Sequence, residues 1–248
     1  MSKLADAIQR SQRVESSPMG FGASRATPKA SMLVGCFGPA GDAAKGRDAG
    51  ADFILIDARG ASLNGTDAKA AREQAGELPL GAWTGVADSA AAKALREAGI
   101  DFLVVDESSP AASLLNEDLG YVLALPQQPE EPFLRSLEPL SLEALLLGDV
   151  TSPLTLAGQV ELSRAGAIAR RPLLCDTEAS ASADDLRCLR AAGVAGVMIG
   201  ASGVAALKEA VAALPPRRTR REERAVVSLP RGQAAAEPDD DDDDDLAV

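Results

Sequence analysis

Histidine is absent from the 248 residues, and several other residue types are scarce. Without histidine the chain lacks the commonest general base and the commonest transition-metal ligand, so acid–base chemistry must use carboxylates, cysteine, lysine or tyrosine. Aromatic residues make up 3% of the chain and apolar residues 46%, so a core must be built mostly from Ala, Leu, Val and Ile. No apolar run reaches the length of a membrane-spanning helix, and we expect no membrane partner.

Cysteine occurs three times, as Cys36, Cys175 and Cys188, without the spacing of a disulfide framework. A sparse and odd count predicts reduced thiols and a cytoplasmic protein. The first sixteen residues carry charged side chains in place of an apolar core, so we expect no signal peptide. The body of the chain has no concentrated basic face, so we expect no nucleic-acid partner.

One segment recurs along the chain. Arg47-Asp-Ala-Gly-Ala-Asp-Phe-Ile-Leu-Ile-Asp57 is followed by Arg96-Glu-Ala-Gly-Ile-Asp-Phe-Leu-Val-Val-Asp106 and, more loosely, by Arg190-Ala-Ala-Gly-Val-Ala-Gly-Val-Met-Ile-Gly200. Each copy predicts a helix end, a glycine in the left-handed conformation, and a short strand. Because the strand runs lack polar alternation, they are typical of a parallel sheet that is buried on both faces.

Strand and helix signals alternate eight times between residues 31 and 216, with a period of about 23 residues. The repeat falls on the predicted strands two, four and eight, and Asp149 follows strand six at the expected interval. An open doubly wound sheet is the alternative, but it normally has fewer strands and needs no evenly spaced repeat. The sequence therefore predicts an α/β protein with a closed (β/α)8 barrel.

The flanking segments differ from the barrel in composition. Residues 1–30 predict a helix followed by an irregular arm. Residues 217–232 form a basic linker with a short extended segment, and residues 233–248 form an acidic tail that we expect to be disordered because its charges repel. The tail has two interpretations, which are solubility and docking to a basic protein partner or to the basic linker of a second copy in a homo-oligomer.

Carboxylates follow several strands at the end where barrel enzymes place their sites. Asp57, Asp106 and Asp149 are predicted to form an acidic ring and are the candidate acid–base groups, with Arg59 beside them. Neighbouring carboxylates raise one another's pKa unless a cation neutralises them, and either Mg²⁺ bound by Asp106 and Asp149 or an amine of the substrate would do so. The alternative is that Arg59, backbone N–H groups or solvent satisfy each carboxylate separately.

Two further features lie at predicted strand ends. The small residues of Gly200-Ala-Ser-Gly203 lead directly into a helix, whose free N–H groups favour an anion such as phosphate. The alternative is an ordinary strand-to-helix turn in which Ser202 caps the helix. Trp83, the single tryptophan, could stack on a planar ligand or simply fill the barrel mouth.

Reactive cysteine and lysine are not predicted at this end of the barrel. Cys175 has no histidine nearby and precedes an acidic residue, which disfavours a thiolate, so we expect it to belong to the core. We expect the lysines of the outer helices to be solvated, which leaves no Schiff-base candidate; they are Lys45, Lys69, Lys93 and Lys208.

Two segments resemble known families. Leu189-Arg-Ala-Ala-Gly-Val-Ala-Gly-Val-Met-Ile-Gly-Ala-Ser202 resembles the last strand and loop of the phosphate-binding TIM barrels, which include indole-glycerol-phosphate synthase, thiamine phosphate synthase and phosphoribosylanthranilate isomerase. Ala49-Gly-Ala-Asp-Phe-Ile-Leu-Ile-Asp57 resembles strand two of the HpcH/HpaI-type aldolases. The first resemblance implies phosphate binding at Gly200 to Gly203, and the second implies a Mg²⁺-dependent lyase. The chain has Arg59-Gly60 where those aldolases have Glu-His-Gly, and it lacks the catalytic lysine of indole-glycerol-phosphate synthase.

Two functional hypotheses follow. The first is a barrel lyase or isomerase that acts on a small phosphorylated or carboxylated metabolite, with Arg59 bound to a carboxylate or enolate oxygen. The second is a non-catalytic barrel that serves as a ligand-binding or assembly scaffold. The absence of histidine and of a strand-end lysine counts toward the second.

Overall fold

The repeated apolar segments form the strands of a closed barrel. A computed structural model describes residues 2–12, 32–60, 63–85, 88–177 and 181–215. Within them, eight parallel strands pair in sequence order and β8 pairs back with β1. The strands are β1 (Leu33–Gly38), β2 (Phe53–Asp57), β3 (Leu80–Trp83), β4 (Phe102–Val105), β5 (Gly120–Ala124), β6 (Ala144–Val150), β7 (Leu173–Thr177) and β8 (Val194–Ile199). The predicted (β/α)8 barrel is confirmed.

Helices connect the strands on the outside of the barrel. They are α2 (Ala43–Asp48), α3 (Gly65–Ala75), α4 (Ser89–Glu97), α5 (Glu131–Ser136), α6 (Leu156–Ala169), α7 (Ala183–Ala191) and α8 (Val204–Ala212), and α1 (Lys3–Gln12) precedes β1. Asp88 caps α4 as predicted, since its side chain accepts the N–H of Ala91. The connection from β4 to β5 is a 3-10 helix, Ala111–Leu115, where the sequence suggested an α-helix.

The glycine of each repeat has the predicted conformation. Gly50, Gly99 and Gly193 have φ angles of 86°, 97° and 94°. Residues with a Cβ rarely adopt this region, so glycine ends the helix and turns the chain into the next strand.

The aspartate after that glycine supports the N-terminal end of the barrel. Asp52 accepts a main-chain N–H of β1 at 2.8 Å and binds Lys208 at 2.5 Å. Asp101 repeats the arrangement, since it accepts a main-chain N–H of β3 at 3.0 Å and binds Arg72 at 2.7 Å. The expectation that Lys208 is solvated is therefore wrong, because its ammonium joins α8 to the start of β2.

Phenylalanine fills the interior of the barrel. The rings of Phe53 and Phe102 are buried, with their centroids 6.4 Å apart. A Cβ on Gly35 would lie 2.3 Å from the Phe53 ring, and one on Gly81 would lie 2.2 Å from the Phe102 ring. The glycines of β1 and β3 thus leave space for a phenylalanine ring from the following strand. Two phenylalanines therefore fill the interior of the barrel, although the chain has few aromatic residues.

The N-terminal helix covers one end of this interior. Leu4 and Ile8 of α1 are buried in the same cluster as Phe53 and Phe102. Ser2 anchors the helix start, since its main-chain N–H donates to Glu143 at 2.8 Å and its hydroxyl also donates to Glu143. The predicted irregular arm, basic linker and acidic tail fall almost wholly outside the described residues. None of the described helices is long and apolar enough to cross a membrane.

Candidate functional site

The C-terminal ends of the strands form the open mouth of the barrel. Leu55, Val104 and Leu174 belong to the interior cluster, and side chains alternate along a strand. Asp57 and Asp176, two residues beyond Leu55 and Leu174, therefore belong to the inward-facing set at the mouth.

Asp57, Arg59 and Trp83 are brought together at this mouth. Asp57 lies beside Trp83 in the register of β2 and β3. Arg59 donates from Nε to Asp57 Oδ1 at 2.8 Å and from Nη2 to Asp57 Oδ2 at 2.7 Å. This pair is half-exposed, and the hydrogen bonds from Arg59 lower the pKa of Asp57 below its ordinary value. Asp57 is therefore ionised at neutral pH.

Two aromatic rings support the Arg59 guanidinium. Its central carbon lies 4.0 Å from the centroid of the Trp83 ring and 5.5 Å from that of Phe37. The two rings are 6.0 Å apart and tilted by 38°. Cation–π contacts of this kind fix the plane of a guanidinium, and the edge of this one donates to Asp57. Phe37 was not predicted as a site residue, because an apolar residue in a strand gives no signal distinct from the core.

Asp106 is held by the loop that follows β4. Its Oδ1 accepts the main-chain N–H of Ser108 at 2.9 Å and the Ser108 hydroxyl at 2.5 Å. Ser109 donates to the same oxygen at 3.4 Å. The carboxylate thus stabilises a tight turn through local bonds, as aspartate side chains commonly do.

Asp149 lies inside β6, whereas the sequence placed it just beyond strand six. Leu147 pairs with Cys175 and Val150 pairs with Thr177, so β6 contains one extra residue between these pairs. Such bulges redirect side chains and are common beside active sites. The side chain of Asp149 itself lies outside what the structure describes.

Cys175 belongs to the core, as expected. Burial raises the pKa of its thiol to about 12, and the negative charge of Asp176 adds to the increase. Burial also raises the pKa of Cys36 to about 11, with a further contribution from Asp42. Neither thiol is a nucleophile at neutral pH.

The segment Gly200 to Gly203 joins β8 to α8. Ala201–Gly203 form a 3-10 turn, and Gly203 is the N-cap of α8 with no side-chain cap. The predicted alternative, in which Ser202 caps the helix, does not occur. A Cβ at Gly200 would meet no atom within 4 Å, so the backbone there lies beside open space. The first N–H groups of α8 therefore have no side-chain acceptor from the helix cap.

The described residues contain no group of three or more Cys, Asp or Glu side chains that could hold a metal ion. Asp57 is bound by Arg59, and Asp106 is bound by its own loop. The magnesium site assigned to Asp106 and Asp149 stays a prediction.

No family model matches the sequence, and no curated protein matches it either. Solved structures of the same fold do match. The tryptophan synthase alpha-subunit of Pyrococcus furiosus is 14% identical, with a TM-score of 0.57 over 72% of this chain and 96% of that one. KGPDC from Streptococcus mutans is 11% identical, with a TM-score of 0.59 over 73% and 97%.

A third similar structure is an HpcH/HpaI aldolase/citrate lyase family protein from Burkholderia cenocepacia. It is 16% identical, with a TM-score of 0.50 over 72% of this chain and 91% of that one. At these identities the likeness establishes the fold. The chain thus shares the (β/α)8 barrel of these proteins.

Proposed function

We propose that this protein is a barrel lyase or isomerase that acts on a small metabolite carrying a carboxylate or phosphate group. The observation that carries the proposal is the placement of Arg59 at the mouth, bound to Asp57 and supported by Trp83. The name of one similar structure, an aldolase/citrate lyase family protein, agrees with this class.

Arg59 is the group that binds the substrate anion. Its guanidinium has a fixed plane and a permanent charge, and a fork of N–H donors matches a carboxylate or an enolate. Negative charge that develops on a substrate oxygen during bond cleavage or isomerisation is stabilised most by a donor that is already in place. The contact with Trp83 holds the guanidinium in place before the substrate arrives.

Asp57 is the proton acceptor in this proposal. The lowered pKa of Asp57 keeps its carboxylate ionised. When Arg59 binds the anionic group of the substrate, a hydroxyl or C–H of the same substrate would lie beside Asp57. The substrate anion competes with Asp57 for Arg59, and the loss of this partner raises the basicity of Asp57 when the substrate binds.

The backbone from Gly200 to Gly203 is the proposed site of a phosphate group. The uncapped start of α8 provides N–H donors and the positive end of a helix dipole. The open space at Gly200 admits a ligand close to the main chain.

Asp106 and Asp149 are the proposed magnesium ligands. Mg²⁺ commonly binds one or two carboxylates and completes its shell with water, so two aspartates are sufficient in number. When bound, the ion would polarise a substrate oxygen. Asp106 would have to exchange part of its bonding to Ser108 for this role.

A scaffold that binds the same ligands without turnover is the second candidate function. It is favoured by the direct pairing of Asp57 with Arg59 and by the local bonding of Asp106, since each carboxylate already has a partner.

Three free thiols among the described residues support a cytoplasmic location. A homo-oligomer or a basic protein partner of the acidic tail is part of this proposal.

Thermal unfolding with added ligands tests binding. Inorganic phosphate, glycerol phosphate and pyruvate should each be tried with and without Mg²⁺, since a ligand of the native state raises the melting temperature. Arg59→Gln should remove the increase caused by pyruvate, while Arg135→Gln should retain it, because Arg135 is an exposed residue of α5 paired with Glu131. Turnover of an aldol or sugar-phosphate substrate that Asp57→Asn abolishes supports the enzyme. Binding without turnover supports the scaffold, and no shift with any ligand rejects both.

A further inference from the structure

A cleft of about 570 Å³ lies at the N-terminal end of the barrel, opposite the mouth. It is bounded by α1 and by the segments that lead into β5, β6 and β7. Its apolar walls include Ile8, Leu119 and Leu142, and its polar walls include Gln12 and Arg171. The volume is within the range of about 300–1,000 Å³ that is usual for small-molecule sites.

Arg171 carries a positive charge that no carboxylate neutralises in the described part of the chain. Its Nη2 donates to the main-chain oxygens of Glu138 and Leu140 at 3.1 and 3.0 Å. Its Nε is buried without an acceptor. Arg170, the preceding residue, does have a carboxylate partner, since it pairs with Glu138 at 3.2 Å. A half-buried guanidinium without a counter-ion is costly, and an anion that approaches the guanidinium from the cleft would reduce the cost of its charge.

Neither acidic residue of the cleft lining forms an ion pair with Arg171. Glu143 receives the Ser2 main-chain N–H at 2.8 Å on one oxygen and the Ser2 hydroxyl on the other. Glu117 is exposed to solvent on the cleft lining. The lining of the cleft therefore brings Arg171, which has no carboxylate partner among the described residues, beside apolar surface and beside the carboxylates of Glu117 and Glu143.

We propose that this cleft is a binding site for a small amphipathic monocarboxylate. The carboxylate binds Arg171, and the apolar body packs against Ile8, Leu119 and Leu142. Such a ligand touches α1 and the barrel together, so it holds the helix against the strand ends. The site is remote from Arg59 and does not depend on the proposed function of the mouth.

Calorimetric titration of the full chain with octanoate tests the proposal. Saturable binding with one ligand per chain is expected, and octan-1-ol should bind at least about tenfold more weakly because it lacks the charge. Arg171→Gln should weaken octanoate binding by a similar factor, whereas Arg135→Gln should leave it unchanged.

A second variant separates ligand contact from damage to the fold. Arg171→Gln also loses two bonds to main-chain carbonyls, so its circular dichroism and melting temperature must be compared with those of the wild type. Ala5→Phe fills the cleft from α1 while retaining Arg171, and it should also abolish binding. The proposal is overturned if octanoate does not saturate, if octan-1-ol binds equally well, or if both variants bind like the wild type. Loss of binding in Arg59→Gln overturns it too, since it would place the ligand in the mouth.

Discussion

Asp185 joins the loop that follows β6 to the start of α7. Its Oδ2 accepts hydrogen bonds from the Ser152 hydroxyl at 2.7 Å and the Ser182 hydroxyl at 2.9 Å, and its Oδ1 accepts the main-chain N–H of Leu154 at 2.8 Å. These bonds, first among them that from Ser152, lower the pKa of Asp185 from 3.8 to about 2. The residue is 8% exposed and lies between the loop that follows β6 and the first turn of α7.

The shift converts into a pH-dependent free energy of unfolding. A difference of about two pKa units corresponds to about 2.5 kcal/mol at neutral pH. Because the folded pKa is below the unfolded one, this stability is present above about pH 4 and is lost as the pH falls toward 2. Roughly half of it remains at pH 3.

Urea unfolding of Asp185→Asn measures this contribution. The variant keeps the shape of the side chain but presents an amide to N–H donors, so it should be less stable than the wild type by about 2–3 kcal/mol at pH 7. The difference should fall to about half at pH 3. Asp184→Asn is the matched control, because Asp184 is 86% exposed and pairs with Arg187 at the surface, and it should change stability by less than about 0.5 kcal/mol. Equal effects of the two variants, or a pH-independent effect of Asp185→Asn, would refute the reasoning.

Two further predictions concern the barrel itself. Gly81→Ala should lower the free energy of unfolding by about 1–3 kcal/mol, since its Cβ would lie 2.2 Å from the Phe102 ring. Gly41→Ala, with no atom within 4 Å, should change it little, and equal losses in the two variants would contradict the packing argument. Asp101→Asn should cost about 2–4 kcal/mol in chemical unfolding, because it leaves the half-buried Arg72 without its carboxylate. A loss below about 0.5 kcal/mol would show that this bridge is not structural.

The repeat made the barrel predictable from sequence. A glycine after a helix and before an unbroken apolar run predicts a helix end in the left-handed conformation followed by a strand. The positive φ angles of Gly50, Gly99 and Gly193 agree with that prediction. The even spacing of the copies then indicated closure, because each copy marks one strand of a ring whose neighbours are consecutive.

The site was predictable only in part. Asp57, Arg59 and Trp83 were identified from their positions after strands, and the structure places them in contact. Phe37 was missed, because a strand phenylalanine is not distinguishable from core before the register is known. The bulge at Asp149 was also missed, since an extra residue in a strand depends on pairing with the neighbouring strand.

The bonding of charged side chains was the least predictable feature. Lys208 is separated from Asp52 by 156 residues, and only barrel closure brings α8 beside the start of β2. The aspartate of the repeat was seen as part of a strand signal, yet it bridges strand and helix at the N-terminal end. Such roles follow from tertiary contacts and have no local pattern.

The most direct test of the central claim is a fluorescence titration of the full chain with pyruvate and with inorganic phosphate. Trp83 is the single tryptophan and contacts Arg59, so it reports on the mouth. The wild type should show a saturable change with at least one of the two anions, and Arg59→Gln should lose the response to pyruvate while Arg135→Gln retains it. The absence of a saturable change with either anion, or an unchanged response to pyruvate in Arg59→Gln, would contradict the assignment of the mouth as an anion site.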